Sequence, residues 1–142
     1  MPDRDAWRQV RGYAYGLVTM MCPAALHAES AGFAEGVQPI LMKYCVVCHV
    51  QGGAQGGLAL YPDAWASTVG VRSAQSPLLL VDPGKPDASY LYLKLTGKHL
   101  AAEGAGELMP SPQAPLATAE IELIRRWIEQ GARKDQEFDS PP

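Results

Sequence analysis

Apolar side chains recur on a helical period in two well-separated stretches. Phe33, Val37, Ile40, Leu41 and Tyr44 stand at i, i+4, i+7, i+8 and i+11, which places them on one face of a helix. Pro39 falls inside this run and has no amide proton, so it is tolerated only in a first turn. The regular helix is therefore expected to begin near Pro39, with a looser turn before it, and to run straight into residue 45. Ile121, Ile124, Trp127 and Ile128 form the second stripe. There Thr118 is the expected N-cap, Glu120 and Glu122 suit the positive helix start, Arg125 and Arg126 lie nearer the other end, and Gly131 supplies the stop.

Between the two stripes the pattern is shorter and more broken. Residues 51–57 are Gln-Gly-Gly-Ala-Gln-Gly-Gly, a loop whose backbone can approach a flat ligand closely because side chains are nearly absent. Leu58 to Tyr61 restore apolar character, and Pro62, Asp63 and Ala64 open a short helix carrying Trp65. The apolar run 77–81 is a short strand or extended chain, ended by the turn signal Asp82-Pro83-Gly84. Asp87 is placed to cap a helix with Tyr90, Leu91, Lys94 and Leu95 on one side, and Gly97 stops it. Residues 98–113 form an Ala- and Gly-rich loop broken at Leu108-Met109-Pro110 and again at Pro112. The strongly patterned helix that follows must pack back onto the domain, which marks this stretch as a functional loop, not a linker. The tail beyond Arg133 is polar and expected to fray.

The chain has 142 residues, room for one domain and a removable segment, and its 14 Gly, 12 Pro and 19% charged residues suit a small globule with much loop. Residues 1–28 follow a different pattern: Arg4, Arg8 and Arg11 make a basic start, Gly12 to Leu26 are mostly apolar or small, and Ala28 is a small residue at a cut site. That order predicts a secretory leader at 1–28 and one mature domain at 29–142, with its core at about 33–132, in the periplasm or otherwise exported. The apolar stretch is shorter than the roughly 20 residues of a membrane span and is interrupted by Pro23, so no stable membrane insertion is expected after cleavage. Cys22 follows Thr19-Met20-Met21, which lacks the small residue expected ahead of a lipidated cysteine, and it leaves with the leader, as does His27. The whole chain carries a net charge of −3. Losing Asp3, Arg4, Asp5, Arg8 and Arg11 makes it slightly more acidic, with no basic stripe for nucleic acid or an anionic membrane surface.

The chemistry concentrates in Cys45-Val46-Val47-Cys48-His49. Two thiols three positions apart, with an imidazole beside the second, fit a porphyrin with two vinyl groups and one iron: the thiols add across the vinyls as thioethers and His49 meets one axial face. A zinc site needs two ligands beyond the two thiols, and the mature chain offers no third Cys and only His99 besides His49. A thiol–disulfide oxidoreductase places its cysteines at a helix start, whereas here they end one. A structural disulfide between residues three apart closes too small a loop to stabilise much. The motif occurs once, so one haem c is expected.

An ordered set of motifs accompanies it: Val37-x-Pro39-Ile40-Leu41, the C-x-x-C-H at 45–49, Gly56-Gly57-Leu58-x-Leu60, Pro83-Gly84-x-Pro86-x-x-Ser89-x-Leu91, Met109-Pro110, and Ile124-x-x-Trp127-Ile128-x-x-Gly131-Ala132. In this arrangement the chain resembles the small class I c-type cytochromes and is most similar to the haem c domains often called planctomycete-type. The resemblance covers about Phe33 to Ala132. It implies an all-α, class I cytochrome c-like fold around one covalently bound haem, with Gly/Pro-rich loops, crossing first and last helices, and electron transfer between redox-partner proteins as the role.

The resemblance also places the sixth iron ligand at Met109, whose thioether would raise the reduction potential. His99 is the competitor, as a second imidazole would lower the potential, and Met42 is set aside because it lies in the helix leading to Cys45. The other ring nitrogen of His49 needs a backbone carbonyl, which similar cytochromes supply near Pro62. Tyr61, Trp65, Arg72, Tyr90, Tyr92 and Lys94 are the candidates to bond a propionate or pack on the ring. Trp127 is expected to close the crossing of the terminal helices. The expected function is an exported monohaem electron carrier and not an enzyme. The alternatives are a ligand-binding sensor or peroxidase-like enzyme, if the 100–106 loop swings Met109 away, and a haem subunit of a larger oxidoreductase.

Overall fold

Pro39 sets where the first regular helix begins. In the computed structural model, which describes residues 32–50, 55–112 and 114–134, a wide turn over Phe33–Val37 leads into helix α1 (Gln38–Tyr44) with Pro39 in its first turn. The missing amide of Pro39 costs nothing there, because first-turn amides have no partner within the helix. Cys45 is the C-cap of α1, donating its N–H to Leu41 O at 2.9 Å. The expected leader, with Cys22 and His27, and the tail beyond Lys134 lie outside the described residues.

The N-cap of the last helix, α4 (Thr118–Glu129), lies one residue earlier than the sequence pattern placed it. Ala117 occupies the N-cap and Thr118 is already helical. The capping role passes to Glu120, whose carboxylate accepts the Ala117 N–H at 2.8 Å. At the other end Gly131, at φ 97°, lets the chain turn so that Ala132 N–H reaches Trp127 O at 2.9 Å.

These two segments pack against each other. The Phe33 and Trp127 rings lie 5.4 Å apart at 37°, and both are buried. Gly36 permits the close approach: a Cβ there would stand 3.1 Å from Leu123 Cδ2. Val37, Ile40 and Leu41 from one side and Ile124 and Ile128 from the other join Leu60, Val81, Leu91 and Leu95 in a single core. Two indole N–H groups then pin the chain that leaves α4. Trp127 donates to Arg133 O at 2.8 Å and Trp65 to Ala132 O at 2.7 Å.

Trp65 belongs to the short helix α2 (Ala64–Thr68), which opens where the sequence pattern placed it and is capped by Asp63, whose carboxylate accepts Ala66 N–H at 3.1 Å. The 77–81 run is extended chain making only isolated bridges, Val69 to Val81 and Arg72 and Ser89 to Leu79. Helix α3 (Tyr90–Thr96) is capped by Ser89, not by Asp87, which lies in the separate 3-10 turn Pro86–Ala88. Ser89 does not use its hydroxyl on the helix. The hydroxyl accepts Asp82 N–H at 2.9 Å and donates to Lys85 O at 2.8 Å, so it is spent closing the preceding turn. Gly97 ends α3 at φ 73°. Among the described residues every regular element is helical, as expected of an all-α chain, and none is long and apolar enough to cross a membrane.

The Phe33–Trp127 contact joins segments more than ninety positions apart in sequence, so its loss should be felt globally. Trp127→Ala is expected to lower unfolding free energy by about 3–5 kcal/mol, measured by guanidinium denaturation followed by far-UV circular dichroism.

Candidate cofactor site

The end of α1 presents the motif residues in one continuous turn. Cys48 N–H donates to Cys45 O at 3.2 Å, and His49 N–H is shared between Cys45 O and Val46 O at 3.1 Å each. Both thiols are unpaired, Cys45 half-buried and Cys48 exposed. Burial, with a smaller push from Cys48, raises the Cys45 thiol to about 11. A redox-active cysteine needs a thiolate stabilised by a helix N-terminus or a neighbouring cation, and the carbonyl end of α1 does the reverse. Burial thus favours the protonated form of this thiol at neutral pH.

His49 is oriented by the chain that follows. Its Nδ1 lies 3.3 Å from Leu58 O, while its own carbonyl accepts Leu60 N–H at 2.7 Å. A carbonyl can only accept, so the proton sits on Nδ1 and the Nε2 lone pair is left for a metal. The expected carbonyl near Pro62 is not the one used: the segment 58–60 doubles back on His49 before the chain reaches Pro62.

Two adjoining cavities meet at this turn. The inner, of about 250 Å³, is lined by Cys45, His49, Leu58, Leu60, Leu80, Leu91, Leu95, Tyr90, Lys94 and Met109 among others. The outer, of about 530 Å³, runs past Cys48, Val47 and Tyr44 to Leu108, Met109 and Pro110. Cys45, His49, Gln55, Glu107 and Met109 line both. The outer volume falls within the roughly 300–1,000 Å³ of cofactor sites and the inner just below it, and the walls of both are mainly apolar. Two free thiols at one wall, an imidazole with a free Nε2 and a thioether are a donor set that fits a covalently held haem.

The other expected site residues divide. His99 lines neither cavity; it is buried with Nε2 2.9 Å from Gly106 O, and its ring meets Tyr90 edge-on with centroids 6.5 Å apart. Met42 is exposed on α1, away from both cavities. Of the residues considered for a propionate or the ring face, Tyr90 and Lys94 line the inner cavity, whereas Tyr61, Trp65, Arg72 and Tyr92 line neither. Comparison with models of protein families, with curated proteins and with solved structures finds no match.

The loop from Gly97 to Pro112 is more ordered than its composition implies. His99–Ala102 form a 3-10 turn, and Ala105, Glu107 and Met109 are tied to α3. Lys94 Nζ donates to Ala105 O at 2.6 Å and to Glu107 O at 2.7 Å, and Tyr90 Oη donates to Ala105 O at 2.7 Å. Burial lowers the Lys94 ammonium from its ordinary range, against an opposing influence from Glu107. Burial likewise raises the Tyr90 phenol, opposed by its bond to Ala105. The sequence does carry a signal for Lys94: a lysine on the same helix face as Tyr90, Leu91 and Leu95 must find buried partners for its charge.

Gly104 lies where the loop crosses α3, and a Cβ there would run into the Tyr90 ring and His99 O. Gly104→Ala is expected to destabilise the protein by about 1–3 kcal/mol, read from its unfolding midpoint, because the ring and the turn cannot both give way.

Proposed function

We propose that this chain is an exported monohaem c-type cytochrome of the class I kind, carrying single electrons between redox-partner proteins. The observation that carries this reading is the convergence of Cys45, His49 and Met109 on one apolar crevice, with Cys48 on its outer part. Cys45 and Cys48 would hold the porphyrin through thioethers, and His49 Nε2 and Met109 Sδ would ligate its iron. When bound, the haem supplies a one-electron couple at its iron.

The chain's own residues do the rest. Nδ1 of His49, donating to Leu58 O, fixes the ring and leaves Nε2 to serve as the ligand in a residue that lines the crevice. Leu58, Leu60, Leu80, Leu91 and Leu95 exclude water from the inner cavity, which limits solvent rearrangement when the charge of the site changes. The raised Cys45 thiol disfavours the thiol–disulfide alternative, since that chemistry needs a thiolate at neutral pH. The anchoring of Ala105, Glu107 and Met109 to α3 favours a carrier with both axial positions filled over a sensor or peroxidase-like enzyme with an open one.

Replacing Cys45 and Cys48 by Ala should abolish covalent haem on a denaturing gel, and haem stain surviving in the double variant would defeat the attachment. Met109→Ala should remove the ferric Met-to-iron absorption band, lower the potential and admit carbon monoxide to the ferrous protein. A wild-type protein that already takes up carbon monoxide rapidly and completely would exchange the carrier reading for the ligand-binding one.

A further inference from the structure

We infer that Lys94 is the positioning residue for Met109, its ammonium acting as a clamp on the loop that presents the thioether to the crevice. This rests on the reading of Met109 as an axial ligand and adds to it what holds that ligand in place. The segment itself has little to hold it: Ala105, Gly106, Glu107 and Leu108 are all exposed, so burial of apolar side chains cannot fix its path. Glu103 and Gly106 take positive φ, 55° and 76°, so it is not held by regular secondary structure either.

Lys94 holds this segment at three points. Its Nζ donates to Ala105 O at 2.6 Å and Glu107 O at 2.7 Å, and its own carbonyl accepts the N–H of Met109 at 3.3 Å. The contacts bracket the run from 105 to 109, so one α3 residue sets both its path and its end. Hydrogen bonds from a buried ammonium to carbonyls are stronger than neutral ones, and the carbonyls in turn compensate the buried charge. The loop backbone is shaped around that nitrogen: a Cβ on Gly106 would stand 3.0 Å from Lys94 Nζ. Tyr90 Oη, donating to Ala105 O at 2.7 Å, and His99 Nε2, 2.9 Å from Gly106 O, support the same stretch from either side. Each of these two has one loop carbonyl; Lys94 alone has two and also meets Met109.

The test uses the haem-loaded protein and the Lys94→Met variant, which keeps an apolar stem of similar length and removes the ammonium. At wild-type helicity and covalent haem content, the variant should lose most of the ferric Met-to-iron band. Its ferrous form should bind carbon monoxide about tenfold faster or more, the change expected from losing two charge-assisted hydrogen bonds that oppose loop opening. Lys94→Arg, which keeps a cationic donor, should recover part of the band. A Lys94→Met protein with a lower unfolding midpoint but an unchanged band and carbon monoxide rate would show a merely structural lysine and overturn the inference. If Lys94→Met does not fold, Tyr90→Phe removes one donor from the same carbonyl of Ala105. It must then shift band and rate in the same direction by less, and no shift overturns the inference. A wild-type protein without the Met-to-iron band defeats the axial assignment itself, a failure distinct from an intact band that ignores Lys94.

Discussion

The structure depends on the seating of the Phe33–Val37 turn against α4, because α1 continues from that turn and its end is also the wall of the crevice. Phe33 against Trp127, and Gly36 against Leu123, fix the first helical segment on the last helix. Cys45, Cys48 and His49 follow within one turn of the end of α1, so that packing sets where the turn stands on the core, while Leu58 O and the Leu60 N–H orient His49 from the chain that follows. A small chain has little apolar surface to spare for such precision. The contact between its two best-patterned segments therefore does two jobs, closing the core and locating the motif.

The crevice draws its opposite wall from a different source. α3 turns Leu91 and Leu95 into the core and Tyr90 and Lys94 towards the loop carrying Met109. One wall is thus positioned by apolar packing and the other by hydrogen bonds from a buried cation and a phenol. The two kinds of support differ in how they fail. Packing is lost when the protein unfolds, whereas a hydrogen-bonded loop can open while the core stays intact. On the reading of Met109 as an axial ligand, that difference would make the Met109 side the adjustable half of the iron site.

How much of this was legible in the sequence follows from the range of each interaction. Helix stripes, the first-turn place of Pro39, the short helix opening at residues 62–64 and the glycine stops at Gly97 and Gly131 are local, and the structure keeps them. The cap at Ala117 was missed because Thr118 carries the more usual capping side chain, and the cap at Ser89 because Asp87, an equally good cap by type, belongs to a separate 3-10 turn before the helix. Glu120 supplied the first instead, and the Ser89 hydroxyl was drawn into the turn before it. The carbonyl facing His49 was misplaced at Pro62 because the path of 58–60 is set by its return to His49, not by residue type. Least legible was the 98–113 loop, whose Ala and Gly content implies freedom. Its order comes from Lys94 and Tyr90, eleven to fifteen residues earlier in the chain. Such bonds leave no periodicity, and the only trace is a charged residue on an otherwise apolar helix face.

The absorption spectrum of the purified holoprotein in both redox states tests the central claim most directly, since it reports attachment and both axial ligands together. The account predicts a haem that stays with the chain in denaturant, a ferric Met-to-iron band and a ferrous spectrum unchanged by carbon monoxide. A haem that denaturant extracts, or a ferric form without that band, would contradict it.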